Sequence, residues 1–279
     1  MRGPLQMLAL VRDTFRESLA RKIFWGFLGC STALILLFVL AVNIDLVEGA
    51  RAAVTLFGQE VNRGRVMDLD LVTRRILGAV AAFLFTAGLF LAVFAAAGLI
   101  PTIFEPGRIE LLLSKPVTRT RLLLGRYLGT LGVIAFNMAY LVLGVWLVMG
   151  IKTGIWNPSF LLAAALAVFA FAVLLTVTLA VAVVSNSAVL ATMVTYFFVL
   201  ISPLLAQHER IAPLFRRQWA RDLTEYLYYL FPKVYDLGNM ARLAMEGRAF
   251  TTWMPLWSSA LFGAVVLAAG LWSFARRDY

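Results

Sequence analysis

The sequence is poor in the side chains that carry most chemistry. Its 279 residues include one histidine, His208, and one cysteine, Cys30. Cys30 lies inside an apolar run with no second thiol to pair with and no ligand cluster around it, so it reads as a small packing residue. His208 has one carboxylate neighbour, Glu209, and no cysteine nearby, which makes neither a metal site nor a catalytic triad. Charged residues are 14% of the chain, against about 25% in an average soluble domain. Only four of the basic residues are lysine, Lys22, Lys115, Lys152 and Lys233, and none follows the G-x-x-x-x-G-K-[ST] turn that cradles nucleotide phosphates. The chain has no such loop with which to hydrolyse ATP. No long apolar run carries an ionisable residue near its middle, where carriers driven by protons or sodium usually keep one. An intramembrane enzyme would lack most of its acid–base and nucleophilic parts, so the chain does not read as an enzyme.

What the chain has in quantity is apolar surface. Hydrophobic residues make up 62% of it, which reads as an integral membrane protein. A bilayer core of about 30 Å needs about 20 apolar residues of helix. The sequence offers six such runs, roughly 23–43, 76–100, 127–150, 159–184, 188–206 and 256–275. The first is too long for the apolar region of a cleaved signal and reads as a retained span. The expected fold is therefore all-α, six transmembrane helices forming a single domain over 1–279. The net charge of +10 sits in loops beside the apolar runs, where membrane lipids and the positive-inside bias account for it without nucleic acid. That bias is weak here and places both termini in the cytoplasm.

Ahead of the first span, residues 1–22 read as an amphipathic helix. Leu8, Val11, Phe15 and Leu19 share one narrow face, and Asp13, Glu17 and Arg21 lie on the opposite one. It suits either a helix lying in the membrane interface or a solvated extension of the first span. Ser185, Asn186 and Ser187 alone separate the fourth and fifth runs, which predicts a tight helical hairpin. Residues 44–75 contain AVTLFGQEV, a strand-like piece. The extracytoplasmic segment 207–255 is rich in tyrosine, and Pro232 and Gly238 are expected to break it into short helices. It reads as a lid over an exit or as a connector resting on the interface. Within the spans, Asn137, Thr176, Thr178, Thr192, Thr195 and Ser202 either line a translocation path or hold helices together by hydrogen bonds.

Between the second and third runs lies PTIFEPGRIELLLSKPVTRTRLLLGR, residues 101–126. Glu105, Arg108, Glu110, Lys115, Arg119, Arg121 and Arg126 cannot sit in hydrocarbon and are expected to face water or another protein. Pro106-Gly107 makes a turn, after which Ile109, Leu112 and Leu113 fall on one helical face. Pro116 stops that helix, and Thr118 is placed to cap the next.

The order and spacing of Glu105-Pro-Gly-Arg-Ile-Glu110-Leu-Leu-Leu-Ser-Lys115-Pro-Val-Thr-Arg119, followed by Leu122-Leu-Leu-Gly-Arg126-Tyr-Leu-Gly, resembles the loop after the second span in ABC-2 type transporter permeases. The six-span pattern, the N-terminal helix and Leu230-Phe-Pro-Lys-Val-Tyr-Asp236 extend the likeness over nearly the whole chain. The resemblance implies that 101–126 forms a cytoplasmic coupling helix that docks on a separate ABC ATPase subunit, two copies being expected. Glu105, Arg108, Ile109, Glu110, Leu112, Leu113, Lys115, Pro116, Arg119 and Arg121 would carry the contact. It implies further a second permease copy or a related permease, ATP and Mg bound by the ATPase and no cofactor on this chain. The location implied is the prokaryotic cytoplasmic (inner) membrane, and the activity implied is export. The alternative is a self-sufficient channel or secondary carrier with no ATPase partner.

Overall fold

The structure is a computed structural model. It describes residues 2–20, 22–47, 51–56, 59–60, 69–97, 99, 118–154, 156, 158–211, 213, 215, 217–246, 248–250 and 252–276. A helix covers each of the six apolar runs: α2 (Lys22–Ala41), α3 (Leu69–Ala96), α4 (Arg119–Thr153), α5 (Ser159–Ser185), α6 (Ala188–Leu205) and α10 (Met254–Arg276). Five of these are long and apolar enough to cross a membrane, and α2 makes a sixth when joined to the helix before it, α1 (Arg2–Ala20), at a 70° bend. The membrane body is all-α. The strand-like piece is realised as part of a small antiparallel meander, β1 (Val42–Val47), β2 (Arg51–Leu56) and β3 (Gln59–Glu60), with Val42 paired to Leu56 and Thr55 to Glu60.

Helix α5 is the post around which the others stand. It is built of Ala, Val, Leu and Phe on every face, and its buried residues run round the whole circumference, from Phe160 through Ala170 and Leu175 to Val183. It packs against α3, α4, α6 and α10. The contact with α10 is close because small residues face it: a Cβ on Gly263 would sit 3.4 Å from Val173, and one on Gly270 would sit 3.1 Å from Leu179. The predicted hairpin to α6 is present. Asn186 takes a left-handed conformation at φ 51° and donates its N–H to the Ala182 carbonyl at 2.9 Å, and the Ser187 hydroxyl caps α6 by accepting from the Leu190 N–H at 3.3 Å. Pro203 occupies the last turn of α6, which ends at Leu205.

Residues 207–255 differ from the expectation in one respect. The segment forms α7 (His208–Ile211), α8 (Gln218–Leu230) and α9 (Val234–Met245), and Pro232 does separate α8 from α9. Gly238, however, breaks nothing. It lies mid-helix in α9, where a Cβ would come 2.9 Å from the Phe85 ring of α3, so the missing side chain lets the two helices approach. Helix α9 is wedged against α3, α5 and α6, with Leu237 and Ala241 fully buried.

Candidate functional site

Among the described residues, the two buried charged side chains, Arg126 and Lys233, mark two junctions. The first joins α1 to the start of α4. Gly125, Gly129 and Gly132 leave a channel along α4 into which α1 lays Leu10, Thr14 and Phe15; a Cβ on Gly125 would lie 2.7 Å from Leu10, and one on Gly129 would lie 2.6 Å from Thr14. Across this contact the Arg126 guanidinium pairs with the Glu17 carboxylate and donates to Thr14 Oγ1 at 3.4 Å. Arg126 is 4% exposed. The expectation that it faces water is therefore corrected: its charge is matched by a carboxylate on a helix more than a hundred residues earlier, which no local pattern reveals. Nearer the end of the bundle, Arg121 donates to Gln6 Oε1 at 3.3 Å.

The same junction reorients α1. Thr14 and Ser18 are buried against α4, whereas Leu8 is 67% exposed. Of the apolar stripe, Leu8 and Leu19 are exposed while Val11 and Phe15 are half-buried, and of the opposite side Asp13 is exposed while Glu17 turns toward α4, so α1 meets α4 along a face that lies between the two. The glycine spacing was the available signal, since small residues four apart mark close helix contacts.

Of the predicted coupling residues, Glu105, Arg108, Ile109, Glu110, Leu112, Leu113, Lys115 and Pro116 lie outside the described residues. Arg119 opens α4 and is half-buried. Thr118 occupies the N-cap position at φ −68° and ψ 144° but makes no side-chain capping bond, which corrects the capping role assigned to its hydroxyl.

The polar residues within the spans are not gathered into one place. Asn137, fully buried on α4, donates to the Val133 carbonyl at 3.1 Å and borders a small void with Ser18, Phe27 and Leu99. Thr176 donates to the Val173 carbonyl at 2.7 Å, and Thr192 to the Ala188 carbonyl at 2.7 Å. Thr195 lies 2.8 Å from Thr178 across the α5–α6 contact. Ser202 accepts from the Tyr235 N–H at 2.9 Å and ties α6 to the start of α9.

The second junction lies where α8, α9 and α10 meet. The Lys233 N–H donates to Ser259 Oγ at 3.0 Å, and its ammonium donates to the Tyr228 carbonyl at 2.9 Å while standing 4.6 Å from the centre of the Tyr228 ring. The Tyr228 hydroxyl donates to Asp236 Oδ2 at 3.1 Å, and the His208 ring stacks on Tyr228 with centroids 4.1 Å apart. Burial pushes the Tyr228 phenol well up, and the negative charge of Asp236 adds to it. Burial also lowers the Lys233 ammonium, against the pull of Asp236, and raises the Asp236 carboxyl, against the hydrogen bond from Tyr228 and the charge of Lys233. This cluster was missed because its members are scattered over α7, α8, the start of α9 and the turn between them, in a segment read as a lid or a connector.

Tyr228→Phe is expected to cost about 1 kcal/mol at pH 7, the value of a charge-assisted bond reduced for partial exposure. The bond serves the ionised carboxylate. The penalty is therefore expected to shrink as pH falls through the folded pKa of Asp236, because protonation removes the charge the hydroxyl supports. Thermal melts of both proteins in detergent across that range check it, and a penalty that grows toward acid would contradict the assignment.

A body of six apolar helices, with an amphipathic helix clamped to the start of α4, suits a multi-pass membrane protein. The sequence profile of the ABC-2 family transporter protein matches residues 8–279. The chain belongs to this family. It is accordingly a multi-pass permease subunit of an ABC transporter. No curated protein matches it, so the family is the finest assignment that likeness carries.

Proposed function

We propose that this ABC-2 permease exports its substrate, driven by a separate ATPase subunit that docks on residues 101–126. The observation that carries the reading is the family match over 8–279, which brings an ABC ATPase partner and a dimeric arrangement with it as general properties of the family. The α1–α4 junction supports it. A push on the loop meets a helix start that Arg126, Glu17 and Thr14 clamp to α1, so two elements move as one body. Both termini then lie in the cytoplasm of a prokaryotic cell, and 207–255 faces outward. Two ATPase subunits bind ATP and Mg, and the permease pairs with a second copy or a related chain.

The test is co-purification of the tagged permease with its ATPase from native membranes. Glu110→Lys combined with Arg119→Glu is expected to lower recovery of the ATPase at least tenfold while leaving permease yield unchanged. Equal recovery with both forms would refute docking through this loop. Nucleotide-independent transport by the purified chain alone would instead favour a self-sufficient carrier.

A further inference from the structure

Between α3, α6 and α9 lies a cavity of about 160 Å³ with an apolar floor of Phe85, Leu89, Val199 and Val234 and a polar rim formed by Asn239 and Arg242. Its volume is close to that of an apolar cavity that accepts a benzene ring, about 150 Å³. The floor takes one ring or a short length of alkyl chain; a two-chain phospholipid does not fit into it.

The rim supplies the chemistry of the other end. Two N–H groups of the Arg242 guanidinium, on Nε and Nη2, donate to Asn239 Oδ1 at 3.3 and 3.0 Å, and Nη1 donates to Glu246 Oε1 at 3.2 Å. Among the described residues, two of the five guanidinium N–H groups are left over. Arg248 shares the same carboxylate, at 3.6 Å from Glu246 Oε2, so among the described residues two guanidiniums face one carboxylate and the balance beside the cavity is positive. The Arg242 side chain is 43% exposed and within reach of an incoming group. It stands against Gly78 of α3, whereas Gly238 stands against Phe85, seven residues further along. The charge therefore sits about 10 Å along the helix axis from the apolar floor.

We infer that this cavity binds a single-chain anionic amphiphile, its tail on Phe85, Leu89 and Val199 and its carboxylate or phosphate on Arg242. A neutral amphiphile would leave the rim charge unmatched, and a cationic one would be repelled by it.

The probe is a twelve-carbon fatty acid bearing a diazirine at its tail end, added to the full-length chain in phosphatidylcholine nanodiscs without nucleotide or partner. Labelling is expected on residues 82–89 and 234–242, with laurate competing at least tenfold better than dodecanol. Arg242→Gln should abolish that preference and Arg242→Lys should restore part of it. Val199→Trp, which fills the floor, should reduce labelling about tenfold; Ala82→Phe serves as a second filling variant if the first expresses poorly. The proposal is overturned if dodecanol competes as well as laurate, if two-chain phosphatidylglycerol does so at equal mole fraction, or if both filling variants label like the parent. Because the assay omits the ATPase, its failure leaves docking on 101–126 untouched, and a failure of docking leaves this site standing.

Discussion

Glu17→Ala is expected to destabilise the protein by about 3 kcal/mol, the lower end of what breaking a buried ion pair costs. The variant leaves the Arg126 guanidinium, 4% exposed, without its carboxylate and, among the described residues, with Thr14 Oγ1 to accept from it. The reverse change should be milder. Arg126→Met takes one partner from Glu17, whose side chain is 17% exposed and can turn toward water, and the methionine still fills part of the space between the helices. Glu17→Leu with Arg126→Met should recover most of the loss, because no charge is then stranded. Thermal unfolding of the detergent-solubilised variants ranks the three. Equal effects from the two single changes would mean that both groups reach solvent, contrary to their burial.

Gly129→Leu acts on the same contact by volume instead of charge, and its expected effect is as large. Even the first atom of a side chain at this position would lie 2.6 Å from the Thr14 Cβ and 2.9 Å from its Cγ2, closer than such atoms approach one another. Overpacking of a tight contact costs about 1–3 kcal/mol, and a leucine on a helix-to-helix seam belongs at the upper end. Relief comes most readily by lifting α1 off α4. Arg12 and Arg16 are exposed on α1, so trypsin reads the opening directly. Where cleavage follows the open population, about 3 kcal/mol corresponds to roughly a hundredfold faster cutting in α1. A rate within twofold of the parent would show that α1 is not held by this seam.

The spans were legible because a run of about 20 apolar residues has few alternatives to crossing a bilayer. The hairpin at Asn186 was legible for a similarly local reason, three small polar residues between two apolar runs. What local patterns could not supply was pairing at a distance. Arg126 reads as a loop charge until Glu17 is placed beside it, and Gly238 reads as a helix breaker until the Phe85 ring is seen to need the space. The buried face of α9, with Val234, Leu237 and Ala241, is interrupted in sequence by Asp236 and Arg242, and so looked like surface. The coupling residues from Glu105 to Pro116 rest on the family likeness and lie outside the described residues.

The central place of α5 also bears on how the protein is made. Its partners α3 and α4 precede it in the chain, while α6, α9 and α10 follow it. During synthesis, α3 and α4 enter the bilayer before the helix that unites them has left the ribosome. At that stage α4 can already close on α1, α2 and α3, so the seam held by Glu17 and Arg126 is among the contacts open to the nascent chain before α5 arrives, which gives the pair a part in assembly as well as in the finished fold.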